Sequence, residues 1–137
     1  MNNREKRFFN IAKEISKFSN FKPHVGAVIT QGKRIISTGF NSNKTHPLQH
    51  KYNIYRNFND YASSVPLEHA EVHALSHLIG KKLPWDTFSI FVYREFKDGT
   101  PACSKPCEAC DKLIKELGIK NIYYVDKNGN YVKERVL

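Results

Sequence analysis

The sequence is poor in cysteine and has no long apolar run. Its three cysteines all lie between Cys103 and Cys110, an odd number in a short segment that is a poor basis for a disulfide framework and a good one for metal chemistry. No stretch approaches the roughly 18 consecutive apolar residues of a membrane span. Four charged side chains among the first ten residues interrupt any signal-like run. We therefore expect a soluble, cytoplasmic protein without a membrane partner.

Acidic residues are also scarce. The chain has 13 Asp and Glu against 22 Lys and Arg, which gives a formal net charge of +9. Eleven basic and two acidic residues lie in the first 56 positions, and the rest of the chain is balanced. Such a charge favours anionic partners, either phosphates or nucleic acid.

The 137 residues, 40% of them hydrophobic and 12% aromatic, provide enough apolar area for a packed core. We expect one domain over residues 1–137. The periodicity of the apolar residues predicts, in order, a helix over 3–19, a hairpin with strands over 25–30 and 34–40, a helix over 66–82, a strand over 89–93, a helix over 107–117, and strands over 121–125 and 131–136. Asn128-Gly129 predicts that the last two strands form an antiparallel hairpin. Residues 41–64 are a polar loop, long enough to be functional or to contain a short helix.

Potential metal ligands lie at the starts of two predicted helices. His69 begins one, and Cys107 and Cys110, at i and i+3, share one face of the other. The unpaired N–H groups and the dipole of a first helical turn favour the thiolate form of cysteine. Two thiolates and a neutral imidazole hold Zn²⁺ tetrahedrally and leave one position open for water, as catalytic zinc requires. The sequence therefore predicts zinc as the cofactor.

Glu71 follows the histidine ligand by two residues, a spacing that directs its carboxylate towards the open position rather than to the metal. There it is placed to take a proton from the water and pass it on. Because two thiolates leave the zinc site nearly neutral, such a base matters more than it would at an all-histidine site. Glu71 is the predicted catalytic residue.

The combined pattern, H-x-E followed by P-C-x-x-C, is formed by His69, Glu71, Pro106, Cys107 and Cys110. It resembles the zinc-dependent cytidine and deoxycytidylate deaminase superfamily, which also includes tRNA adenosine deaminases and nucleic-acid-editing cytosine deaminases. The resemblance covers nearly the whole chain. It implies a three-layer α/β/α fold with a five-stranded mixed sheet, here ending in the antiparallel hairpin.

The resemblance also implies substrate contacts. Asn41 lies where family members place an asparagine that binds the sugar or base, and the backbone N–H of Ala70 would hold the pyrimidine carbonyl. Gly26 and Ala27 match the close-packed floor of the pocket. Family members often assemble, so a homo-oligomer is expected.

The sequence departs from individual branches of the superfamily. Enzymes for free cytidine have a cysteine in place of His69. Deoxycytidylate and tRNA-type members usually end with a helix and a parallel strand, where this chain has Asn128-Gly129. The segment over residues 100–105, which precedes Pro106, also differs from the short polar segment expected in the family. These departures suggest a phage or viral type, which would act in the host cytoplasm.

The expected reaction is hydrolysis of a cytosine base to uracil on a pyrimidine nucleotide such as deoxycytidylate. An alternative is deamination of cytosine or adenine in single-stranded DNA or RNA, held in a groove formed by the basic first 56 residues. A non-enzymatic alternative is a nucleic-acid-binding module in which Cys103 completes a closed zinc site. Basic and aromatic loop residues are either phosphate and base contacts or ordinary surface and core: Lys44, His46, His50, Lys51, Tyr52, Tyr55, Arg56, Phe58 and Tyr61. His73 and His77 are predicted to be packed or solvated helix residues.

Overall fold

The computed structural model describes residues 1–19, 23–43, 47–52, 68–96 and 98–136. The helices are α1 (Asn3–Ser16), α2 (Pro47–Tyr52), α3 (Ala70–Ser76) and α4 (Glu108–Leu117). The strands are β1 (Val25–Gln31), β2 (Arg34–Phe40), β3 (Ser89–Glu95), β4 (Pro101–Ala102), β5 (Asn121–Val125) and β6 (Tyr131–Arg135). A 3₁₀ turn over Trp85–Thr87 precedes β3.

The strands form one mixed sheet in the order β2-β1-β3-β5-β6, with β4 pairing to β3. Within the described residues, β3 and β5 are the one pair of strands that runs parallel. The predicted terminal hairpin is confirmed, since β6 returns antiparallel to β5 after a turn in which Gly129 has a φ of 80°. The expected five strands become six in the described part of the chain, because β4 is added, whose two residues are too few to give a periodic pattern.

Helix α1 covers one face of the sheet. It begins with a capping box between Asn2 and Glu5. Its apolar side packs onto residues of β1, β3 and β5 in a cluster of Phe8, Phe9, Ala12, Val28, Phe91, Tyr93, Tyr123 and Val125. A Cβ atom on Gly26 would lie 2.0 Å from the carbonyl oxygen of Ala12, so the helix packs directly on the strand backbone.

Helices α3 and α4 cover the opposite face, which confirms the three-layer α/β/α fold. Ala27, Ile90 and Ile122 from three strands pack there against Leu75 and Leu113 of the two helices. A Cβ atom on Gly39 would lie 2.3 Å from the backbone nitrogen of Ala74, so α3 sits directly on β2. Ala27 therefore faces this side, whereas its neighbour Gly26 packs against α1, because neighbouring strand residues point to opposite faces. That the two residues form the floor of the pocket stays a prediction.

Two predicted segments, the helix over 66–82 and the loop over 41–64, differ most from the structure. Helix α3 is shorter than the predicted helix over 66–82: it ends at Ser76, and residues 77–80 form turns that finish with Gly80 at a φ of 91°. The predicted loop over 41–64 contains α2, which begins at Pro47, a residue suited to a first helical position. Residues 53–67 lie outside the described part. Among the described residues, none of the helices has the length and apolar character needed to cross a membrane.

Candidate metal centre and active site

The start of α3 is fixed by contacts from two other segments. His69 is its N-cap residue, with φ of −80° and ψ of 158°. The Oε1 atom of Gln49, a fully buried side chain on α2, accepts a hydrogen bond of 3.2 Å from the backbone N–H of His69. The N–H of Ser42 donates to the carbonyl oxygen of Glu68 at 3.0 Å. The first of the predicted ligands is thereby held from the α2 side and from the end of β2.

The start of α4 is fixed by Ser104. Its hydroxyl donates to the carbonyl oxygen of Val92 at 2.7 Å and accepts from the N–H of Val125 at 2.8 Å. Its own N–H donates to the carbonyl oxygen of Val125 at 2.8 Å. Ser104 thus bridges β3 and β5 three residues before Cys107, the N-cap residue of α4. The sheet therefore sets the position of the two cysteines.

The two helix starts bring the predicted ligands together. Nδ1 of His69 lies 3.5 Å from Sγ of Cys107 and 3.4 Å from Sγ of Cys110. All three ligand atoms are within 4.8 Å of one another. Zinc bonds of ordinary length at tetrahedral angles place nitrogen and sulfur about 3.6 Å apart, so the group fits Zn²⁺. Cys103 is not a member of the group. The described residues therefore form a site with three ligands rather than the closed one with four.

The two thiols influence each other's protonation. The hydrogen bond between their sulfur atoms lowers the pKa of Cys107 to about 4, so this thiol is ionised at neutral pH. The same hydrogen bond, together with burial, raises the pKa of Cys110. Binding of a metal ion would release the proton that Cys110 holds.

Glu71 is buried beside this group, with only 5% of its surface exposed. Burial raises the pKa of its carboxyl group, and the neighbouring His69 imidazole opposes this rise. Its carboxyl group also shares a hydrogen bond with Cys110. The buried carboxyl group next to, but outside, the ligand group is the arrangement that its predicted role requires.

Asn41 follows β2 at the end of the sheet that lies beside the start of α3. Its side chain already has two hydrogen-bond partners. Oδ1 accepts a hydrogen bond of 2.9 Å from the N–H of Val25, and Nδ2 donates to the carbonyl oxygen of Pro23 at 2.6 Å. An amide offers a second donor and a second lone pair. Ala70, fully buried, is the first residue of α3, where helical N–H groups lack an acceptor within the helix. Substrate binding by both residues stays a prediction.

His73 ties α3 to β2 and is packed, as predicted. The N–H of Phe40 donates to Nδ1 of His73 at 3.0 Å, and the Phe40 ring packs edge-on against the imidazole. The hydroxyl of Ser37 donates to the carbonyl oxygen of Ala74 at 2.7 Å. These bonds fix the end of β2, and with it Asn41, against the helix that carries Glu71. Sequence reasoning missed the parts played by His73 and Gln49, since neither belongs to a motif.

Of the loop residues considered as substrate contacts, two are described. Tyr52 is buried in the core and donates a hydrogen bond to Glu116 on α4, which is the structural one of its two interpretations. The Lys51 ammonium lies 5.4 Å from the centre of the Tyr52 ring. Lys44, His46, Tyr55, Arg56, Phe58 and Tyr61 lie outside the described residues, as does the side chain of His50.

A family model described as the cytidine and deoxycytidylate deaminase zinc-binding region matches residues 2–126. The chain belongs to this deaminase family. Membership, together with the His/Cys/Cys group, makes the protein a zinc-binding hydrolytic deaminase. No curated protein matches the chain.

Solved structures show the same fold. The deoxycytidylate (dCMP) deaminase of the cyanophage S-TIM5 is 22% identical, with 94% of this chain and 89% of that chain covered and a TM-score of 0.62. The same enzyme in complex with dCMP and dUMP is 23% identical, with 93% of this chain and 85% of that chain covered and a TM-score of 0.62. A cytidine deaminase from Burkholderia pseudomallei is 17% identical, with 99% of this chain and 94% of that chain covered and a TM-score of 0.63.

Proposed function

We propose that this deaminase hydrolyses the cytosine base of a pyrimidine mononucleotide such as deoxycytidylate to uracil. The observation that carries the proposal is the buried Glu71 carboxyl group beside the ligand group of His69, Cys107 and Cys110. A three-ligand group leaves a position open for a reactant, and a buried acid next to it is the proton carrier that hydrolytic deamination needs.

The chain's own residues would do the following chemistry. Zinc, when bound by the three ligands, supplies Lewis acidity that lowers the pKa of water. Glu71 would accept the first proton of the water that attacks C4 and deliver it to N3, and would then transfer the second proton, which remains on the new C4 hydroxyl group, to the departing amine. Ammonia then leaves and the uracil base remains. The backbone N–H of Ala70 would orient the pyrimidine carbonyl, and the free donor and lone pair of Asn41 would bind the sugar.

The placement of the basic residues favours a mononucleotide over a nucleic-acid strand. Five of the eleven basic residues in the first 56 positions lie on or just after α1, on the face of the sheet away from the zinc ligands: Arg4, Lys6, Arg7, Lys13 and Lys17. Lys33 and Arg34 lie at the turn between β1 and β2, at the far end of the strands from Asn41. These seven charges do not line a groove that leads to Glu71.

Two substrates, each tested alone, decide between these functions. The zinc-loaded protein is incubated with deoxycytidylate and, separately, with a cytosine-containing single-stranded oligonucleotide, while ammonia and uracil product are measured. We expect product from the nucleotide and a KM that changes only modestly with salt. Product from the oligonucleotide alone, with a KM that rises steeply with salt through counterion release, would contradict the proposal. An adenine-containing nucleotide in a third reaction tests the choice of base.

A further inference from the structure

Three strands begin or end at the end of the sheet where Asn41 lies. Strand β1 begins at Val25, and its antiparallel neighbours β2 and β3 end beside it. Val25 is paired with Arg94 of β3, and its carbonyl oxygen accepts a hydrogen bond of 3.3 Å from the N–H of Asn41. Because adjacent strands lie about 4.8 Å apart and β1 lies between β2 and β3, the backbones of Asn41 and Arg94 are about 10 Å apart at this end of the sheet.

Arg94 lies on the same face of the sheet as the metal ligands. Side chains alternate along a strand, and Ile90 and Val92 pack in the cluster formed with α3 and α4. Arg94, two residues after Val92, therefore leaves β3 on that side. The carbonyl oxygen of Val92 holds Ser104, from which the chain continues to Cys107. The positively charged Arg94 side chain thus lies on the active-site face, at the end of the sheet where Asn41 also lies.

Among the described residues, the guanidinium group of Arg94 has a buried donor atom without a hydrogen-bond partner. Its Nε atom is buried and has no hydrogen bond. Within the described ranges of the chain, no carboxylate forms an ion pair with it. A buried polar group without a partner destabilises a protein, and such a group is explained when a ligand supplies the missing contact. The planar donors of arginine match the oxygens of a phosphate group.

We propose that Arg94 binds the 5′-phosphate of the substrate and makes the enzyme prefer a nucleotide to the corresponding nucleoside. This inference rests on the proposed function, because it assigns a contact to the substrate named there. Neither a sequence motif nor the helix starts that hold zinc point to Arg94. Its phosphate contact would lie on β3, outside the polar loop where the sequence places the candidate phosphate contacts.

The test compares substrates that differ only in the phosphate. Zinc-loaded wild type, Arg94→Gln and Arg94→Lys are assayed with deoxycytidylate and with deoxycytidine, and zinc content is measured for each. We expect Arg94→Gln to lower kcat/KM for deoxycytidylate about 10-fold to 100-fold, the effect of losing a hydrogen bond to a charged group. Its kcat/KM for deoxycytidine should stay within about two-fold of the wild type, because the nucleoside has no phosphate to bind. For Arg94→Lys, kcat/KM for deoxycytidylate should lie between the values of the wild type and Arg94→Gln, since lysine keeps the charge without the planar donors.

Arg34→Gln is the matched control, because Arg34 is exposed at the opposite end of the sheet, and both substrates should be unaffected by it. An equal loss on both substrates in Arg94→Gln at full zinc content would show a structural role and overturn the inference. No loss on either would overturn it as well. If the wild type turns over neither substrate, the proposed function fails. In that case calorimetry of dUMP and deoxyuridine binding decides the inference. Wild type should bind dUMP more tightly than deoxyuridine, and Arg94→Gln should remove that difference. Any other result overturns the inference.

Discussion

The two faces of the sheet are built from different kinds of side chains. Under α1 the buried cluster is largely aromatic, and Phe9 contacts the rings of Phe91, Tyr123 and Tyr131. The face under α3 and α4 also buries groups with polar chemistry, among them Glu71 and Cys110, with Gln49 buried beside the start of α3. The first face stabilises the fold, whereas the second must combine packing with catalysis. Substitutions under α1 should therefore affect stability alone, whereas substitutions of the zinc ligands should affect activity together with stability.

Loss of a metal ligand should have the largest effect. In Cys110→Ser we expect zinc affinity to fall more than about 100-fold, beyond the cost of losing a residue that hydrogen-bonds to a ligand, and deamination to be lost with it. The free energy of unfolding should fall too, since metal binding stabilises the folded state. Zinc content after dialysis and competition with a chelator measure the change. Cys103→Ser is the control, and equal losses in both variants would show that the metal site is not the one described.

Removal of an aromatic ring on the other face should affect stability alone. Phe9→Ala deletes a side chain that is 1% exposed, and we expect the free energy of unfolding to fall by about 3–5 kcal/mol. Zinc affinity and turnover of the folded fraction should change less than about two-fold, because α1 lies on the opposite face of the sheet from α3 and α4. Urea unfolding, chelator competition and the deamination rate per folded protein give the three quantities. A marked loss of zinc affinity in the folded variant would mean that the two faces are coupled.

A smaller effect on the zinc face should come from Gln49. In Gln49→Met the acceptor for the His69 N–H is lost while the length of the side chain is kept, and zinc affinity should fall about 10-fold. The control is Gln31→Met, because Gln31 bonds to Thr87, away from the ligands. Chelator competition measures both variants. Unchanged affinity in Gln49→Met would show that α2 does not position His69.

Short-range patterns predicted the elements that hold the site. The H-x-E and P-C-x-x-C motifs lie at helix starts, so local backbone geometry is enough to indicate a metal site. The Asn128-Gly129 pair likewise specifies its own turn. The contact of Gln49 with His69 and the pairing of Arg94 with Val25 join segments far apart in the sequence, and no local pattern encodes them. Helix α3 was predicted too long because apolar residues continue at helical spacing through Leu78 and Ile79, although the backbone there forms turns.

The most direct test of the account is turnover of Glu71→Gln with its zinc content measured in the same preparation. Glutamine keeps the shape of the side chain but cannot carry the proton. We predict about one zinc per chain, as in the wild type, and a rate of deamination lowered about 10²-fold to 10⁴-fold. Undiminished turnover at full zinc content would contradict the assignment of Glu71 as the proton carrier.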